Sequence, residues 1–358
     1  MRIKKDFIGM FDVLKGLLIL LVVTVHSLGF TNGVFPDNLF IAGNFKFYKS
    51  GVTLMGMFFV FAGYSFRPPS GIGKFFKKQA KQFLVPYAIV IALATVAAAV
   101  RGLIRGDFTV GSVSSFVLGG LFGNVGIPVR LFGKAWMENI GSLWFLLALF
   151  FGSVFYSLIW RLKNPKASIA LVWILTAIAV AVPKRIALMC PWTIVQSCAA
   201  LGFMEIGRLF KKYKLFHKKW NPVLIIGILI LWVVLHIYSS AGMALNEYRF
   251  LWIDYLVSAA GAVVFIKAYL ASGAAVWGAL APLEYVGRYS MWFLCIHSFE
   301  FIAFPWNETE KMRAIFSPWI SPVWVFVISD LLRIVFAVLV CLIINYIYGK
   351  ILLRRYEK

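Results

Sequence analysis

The residues able to do chemistry in this chain lie where charged groups are least expected. Phe11–Phe30 reads FDVLKGLLILLVVTVHSLGF, an apolar helix of membrane length that carries Asp12, Lys15 and His26. A helix advances 100° per residue, so eleven steps return His26 to within about 20° of Lys15, roughly 16 Å further along one face. Ionisable groups inside such a segment are costly and therefore informative. Asp12 and Lys15 stand three apart and can pair at the helix end. His26 has apolar helical neighbours, Val22, Val23, Gly29 and Phe30. Either it bonds to a neighbouring helix as a structural group, or it serves as a general base, since an imidazole titrates near neutral pH.

A second stretch, LEYVGRYSMWFLCIHSFE, places Gly287 and Ser290 at the opening of a helix at a spacing that favours close packing. His297 and Glu300 follow, three apart on one face, either as a self-orienting buried pair or as part of a site. Glu300 and Asp12 are the carboxylates available to orient an imidazole. A third stretch, FFKKQAKQFLVPY, sets Lys77, Lys78 and Lys81 before Pro86. This is either a basic loop end or an anion site for a phosphate-bearing ligand. His236 lacks a flanking pattern and reads as structural. Asp254 with Lys267, Glu205 with Arg208, and Asp330 with Arg333 read as pairs within the bundle.

These groups must be positioned by membrane helices. Of 358 residues 61% are hydrophobic and only 14% charged, which excludes a water-soluble globule. The net charge of +22 falls in short clusters between apolar runs, the mark of cytoplasmic loops rather than of a nucleic-acid partner. Ten apolar segments are long enough to hold helices: 11–30, 51–66, 83–100, 141–160, 167–182, 190–208, 222–240, 251–270, 285–304 and 319–347. With the N-terminus inside, the inner segments carry 21 Lys and Arg against three acids, and the outer ones 11 against six. The sequence therefore predicts an all-α integral membrane protein of about ten transmembrane helices with both termini cytoplasmic. The long connection 101–140 contains SSFVLGGLFG, read as a re-entrant or interfacial helix. Were 112–123 a full span, the charge alternation after it would invert. The four cysteines sit in or beside apolar runs without metal-ligand spacing, and no metal is expected. Residues 1–358 read as one membrane domain.

Taken in order, these motifs resemble the acyltransferase-3 family of polytopic membrane O-acyltransferases. The likeness rests on Asp12-x-x-Lys15-Gly16 with His26 eleven residues beyond the basic position, and on FFVFAGYSF at 58–66. It continues with Lys78-x-x-Lys81 before Pro86-Tyr87, then Gly287-x-x-Ser290 with His297, and more weakly with WFLLALF at Trp144. Lysines at 15, 78 and 81 stand where the family usually carries arginine, and Ala62 where it usually carries serine.

The resemblance implies transfer of a short acyl group, usually acetyl, from cytoplasmic acyl-CoA to a hydroxyl of an envelope or exopolysaccharide sugar. His26 would be the catalytic residue, Lys15, Lys78 and Lys81 the contacts to CoA, and Asp12, Ser290, His297 and Glu300 supporting groups. The donor is then acetyl-CoA or another acyl-CoA, and the partners are membrane lipid and a carbohydrate acceptor. The location implied is a bacterial plasma membrane, crossed many times. The rival readings are a transporter or flippase for a glycan or lipid-linked sugar, and a non-catalytic member of a polysaccharide-assembly complex.

Overall fold

The computed structural model describes residues 9–35, 37, 51–125, 129–131, 135–239, 241–274, 277–303, 315 and 320–356. The cations Arg2, Lys4 and Lys5, most of 31–50 and most of 305–318 lie outside the described residues. The chain divides into two compact units, Met1–Lys46 with Ala275–Lys358, and Phe47–Ala274.

Helices follow in the order α1 Asp12–Val34, α2 Gly51–Ser65, α3 Ile72–Gln79, α4 Val85–Arg105 and α5 Val110–Phe122. A short antiparallel hairpin comes next, β1 Val129–Leu131 with β2 Ala135–Met137. The remaining helices are α6 Trp144–Ile159, α7 Pro165–Ala181, α8 Lys184–Leu188, α9 Ile194–Lys212, α10 Pro222–Tyr238, α11 Trp252–Ala271, α12 Ala281–Arg288, α13 Ser290–Ala303 and α14 Pro322–Tyr356. Each of the ten predicted segments overlaps a helix. Among the described residues, five helical stretches are long and apolar enough to cross a membrane: Gly9–Val34, Ile72–Arg105, Gly141–Ile159, Trp252–Ala271 and Pro322–Ile347. Five shorter apolar helices accompany them: α2, α5, α7, α10 and α13. The protein is an all-α membrane protein.

Two boundaries differ from expectation. The 285–304 segment is not one helix but two, with Tyr289 (φ −103°, ψ 16°) departing from helical geometry between α12 and α13. Gly287 therefore belongs to the end of α12, and Ser290 begins α13. The basic turn at Lys78 and Lys81 is not a loop. It is helical from Ile72 and passes through a five-residue π-helical stretch, Ala80–Leu84, into α4. Such stretches shift the helical phase by accommodating one extra residue.

In the first unit, the contact between α1 and α12 is made backbone to backbone. A methyl group on Gly16 would meet the Leu283 carbonyl oxygen at 2.0 Å, and one on Gly287 would meet that of Asp12 at 1.7 Å. Lipid supplies no hydrophobic drive between helices, so close approach through small residues is the main source of their attraction. At the same end, Arg288 Nε lies 3.6 Å from Asp12, and Asn345 Nδ2 donates to the Tyr285 hydroxyl at 2.8 Å. At the other end Thr24 donates to Asp330 at 2.9 Å, and Phe30, Val34 and Val325 form an apolar cluster. Accordingly α12 and α13 run parallel to α1, and α14 runs back against them.

In the second unit, α2 and α9 pack in the same way, with Gly63 against the Met204 backbone and Gly207 against the Val60 carbonyl. Buried Glu205 accepts from the Tyr156 hydroxyl at 2.6 Å and from Arg208 Nε at 3.0 Å, so this pair forms as the sequence suggests. Tyr156→Phe leaves the carboxylate one donor poorer. It is expected to cost about 1–2 kcal/mol, read as a lower unfolding temperature in detergent. Asp254 and Lys267 are not a pair. Thirteen residues of helix separate them by about 20 Å, and each has its own partners. Asp254 accepts from the Phe250 amide at 2.7 Å, while Lys267 donates to the carbonyls of Phe216 and Lys218 at 2.6 and 2.9 Å.

Candidate active site

The site begins at the unexplained histidine. His26 Nδ1 stands 2.8 Å from His297 Nε2, with the two rings stacked at a centroid distance of 4.9 Å. Behind His297, its Nδ1 faces Glu300 Oε2 at 3.3 Å. Behind Glu300, its other oxygen faces Arg333 Nε, also at 3.3 Å. Four polar side chains from α1, α13 and α14 thus form one row.

The row exists because helical periodicity places its members. His297 and Glu300, three apart, share a face of α13. Asp330 and Arg333 share a face of α14, and the Thr24–Asp330 hydrogen bond brings that face against α1. The guanidinium of Arg333 sits over two rings, 5.6 Å from Phe30 and 6.0 Å from Phe301. Buried charges survive when each meets a partner of opposite sign. Here a carboxylate and a guanidinium compensate each other inside the bundle.

Burial is graded along the row. His297, Glu300 and Arg333 are 2–3% exposed, whereas His26 is only half-buried. His26, at the end of the row, is thus its least enclosed member.

The other predicted residues divide. Lys15 is 2.8 Å from Asp12 and partly exposed, in the local pair its spacing suggests. Asp12 lies with Lys15, Arg288 and Glu284 at the opposite end of α1 from His26, so it does not orient that imidazole. Ser290 opens α13 two turns before His297. Lys78 and Lys81 are exposed and belong to the second unit. His236 is held within its own helix, its Nδ1 2.7 Å from the Trp232 carbonyl.

Arg333 was missed as a site residue, since its spacing from Asp330 suggested a pair within α14. The structure places Arg333 Nε 3.3 Å from Glu300 as well, while Asp330, which also interacts electrostatically with Arg333, accepts a hydrogen bond from Thr24. One signal was present: Glu300 is a buried acid with no cation on its own helix. Nothing local in the sequence says which helix supplies one.

An intramembrane imidazole backed by a second imidazole and a carboxylate can take a proton from a hydroxyl, as a general base in group transfer does. The comparison with known families bears on which transfer. The model of the acyltransferase-3 family, described as an acyltransferase domain, matches residues 8–349, nearly the whole chain. The chain belongs to the acyltransferase-3 family. No curated protein and no solved structure matches it. As a member of that family the protein is a membrane acyltransferase, and the row from His26 to Arg333 lies within the matched region.

Proposed function

We propose that this acyltransferase moves a short acyl group, acetyl in the simplest case, from cytoplasmic acyl-CoA to a hydroxyl of an envelope or exopolysaccharide sugar, with His26 as the base. The observation that carries this reading is the half-buried His26 imidazole held 2.8 Å from His297, inside a membrane bundle of the acyltransferase family.

In this mechanism the acceptor hydroxyl gives its proton to His26 as its oxygen attacks the thioester carbonyl. The tetrahedral intermediate then collapses with cleavage of the C–S bond. The imidazolium returns the proton to the departing CoA sulfur, so the enzyme ends the cycle unchanged. The base operates in a site of low dielectric, where the polar groups behind it are already oriented.

Lys15 stands about 16 Å along α1 from His26, a rise comparable with an extended pantetheine arm. The reading gives Lys15 the phosphates of the donor at the cytoplasmic end, leaving the thioester to reach His26. Lys78 and Lys81 are proposed as further phosphate contacts, exposed on a helix of the second unit. As ammonium groups they attract phosphate as point charges rather than gripping it in a bidentate fork.

The deciding experiment places the purified protein in lipid vesicles with labelled acetyl-CoA and a panel of envelope glycans. The expected result is CoA release that requires a glycan, with label appearing on that glycan. Absence of acetyl-CoA binding would overturn the reading in favour of transport or a scaffolding role.

A further inference from the structure

We propose that Glu300 and Arg333 are positioning residues that fix which nitrogen of His26 carries the proton, acting through His297. The inference rests on the reading of His26 as the base and assigns it a single working tautomer.

Arg333 is the group of the row whose chemistry is least ambiguous. An arginine side chain has five N–H donors and no acceptor. Arg333 therefore presents a donor to Glu300 Oε1 across 3.3 Å. The carboxylate is an acceptor on both oxygens. His297 Nδ1 faces Oε2 at 3.3 Å, and a bare ring nitrogen there would set lone pair against lone pair in a dry interior. The proton of neutral His297 consequently sits on Nδ1, and its Nε2 is bare. That bare nitrogen lies 2.8 Å from His26 Nδ1, so His26 donates to it. The remaining nitrogen of His26, Nε2, keeps its lone pair, on the least enclosed residue of the row.

The row is thus polarised in one direction. The His26–His297 hydrogen bond continues into two ion-pair contacts of 3.3 Å, His297 to Glu300 and Glu300 to Arg333, which closes the far end. The same logic governs an orienting carboxylate behind a catalytic imidazole, where the wrong tautomer is nearly inactive. Here the carboxylate acts one imidazole further back.

Arginine's inability to accept makes the device testable by an almost isosteric change. In Glu300→Gln, Arg333 claims the amide oxygen and the NH2 group is left facing His297 Nδ1. That nitrogen must then accept, so the His297 proton moves to Nε2 and is donated to His26 Nδ1. The His26 proton is forced onto Nε2, and the base is lost. Removing the donor that fixes the amide, in the double variant Glu300→Gln with Arg333→Met, frees the amide to turn round and restores part of the original tautomer.

The test is 15N NMR of histidine-labelled protein in lipid nanodiscs, beside acyl-transfer kinetics on the same samples. In the unmodified protein His26 is expected to carry its proton on Nδ1, a readout that depends on no variant. Glu300→Gln is expected to invert both histidines and to lower kcat by about 10²–10⁴-fold with little change in KM for acyl-CoA. The double variant is expected to recover part of that loss. A His26 proton on Nε2 in the unmodified protein, or unchanged tautomers in folded Glu300→Gln, would overturn the inference. If the tautomers invert while turnover persists, the relay stands and the reading of His26 as the base falls. If His26→Ala is inactive while Glu300→Gln keeps the wild-type tautomers, the base stands and the relay falls.

Discussion

His26→Ala is expected to lower acyl transfer by on the order of 10²–10⁴-fold while leaving a folded protein in the membrane. The two halves of this expectation have separate physical grounds. The loss follows because the imidazole is the least enclosed end of the polar row, and alanine can accept no proton. Survival of the fold follows because α1 is not held by that ring. Its register is set by the Gly16 contact with Leu283, the Thr24–Asp330 hydrogen bond and the packing of Phe30 and Val34 on Val325. His297 retains Glu300 behind it when His26 is truncated. Acetyl-CoA binding is therefore expected to persist, since the cations assigned to the donor lie elsewhere. His26→Gln sharpens the measurement, because glutamine can bond to His297 but cannot serve as a base. Turnover within a few-fold of wild type in both variants would sink the mechanism.

Gly287→Ala is expected to impair stability and activity together, and Gly16→Ala to do the same. The added methyl group at 287 falls 1.7 Å from the Asp12 carbonyl oxygen, and at 16 it falls 2.0 Å from that of Leu283. Both obstacles are backbone atoms, so no rotamer change relieves them. The helices must part, at a cost at or above the upper end of the usual overpacking range of about 1–3 kcal/mol. Parting α1 from α12 also strains the 2.8 Å histidine pair between α1 and α13, the helix that follows directly on α12. Gly51→Ala and Gly71→Ala are the controls, because a methyl group there meets nothing within 4 Å. Unfolding temperature in detergent and acyl-transfer rate, measured for all four, check the expectation. A Gly287→Ala protein as stable and active as the controls would contradict it.

Much of this architecture is written in the sequence at the level of hydropathy. Ten apolar segments became helices because a backbone in lipid must satisfy its own hydrogen bonds. The breaks were harder to read. Tyr289 interrupts a continuous apolar pattern where neither proline nor glycine marks the spot, although Gly287 is near. The π-helical stretch at Ala80–Leu84 has no compositional signature at all. At the site, His26, His297 and Glu300 were legible because each is an ionisable group on an apolar helix. Their conjunction was not, because it depends on the crossing of helices more than 250 residues apart in sequence. Arg333 shows the limit most clearly. Its spacing from Asp330 suggested a local pair, and only tertiary contact reveals that Glu300 faces it as well.

The parallel course of α1 and α12–α13 has an arithmetical consequence. Both lead from the end where Arg288 approaches Asp12 to the end where the two histidines meet. If each crosses the bilayer, the chain between them must make an odd number of passages, since an even number would bring the later helix in from the opposite leaflet. The seven segments read between them from hydropathy satisfy that parity. Counting Val110–Phe122 as an eighth would violate it, and that helix is also the shortest of the apolar set at 13 residues. Were all seven of those segments to cross, parity would have α5 enter and leave by the same side.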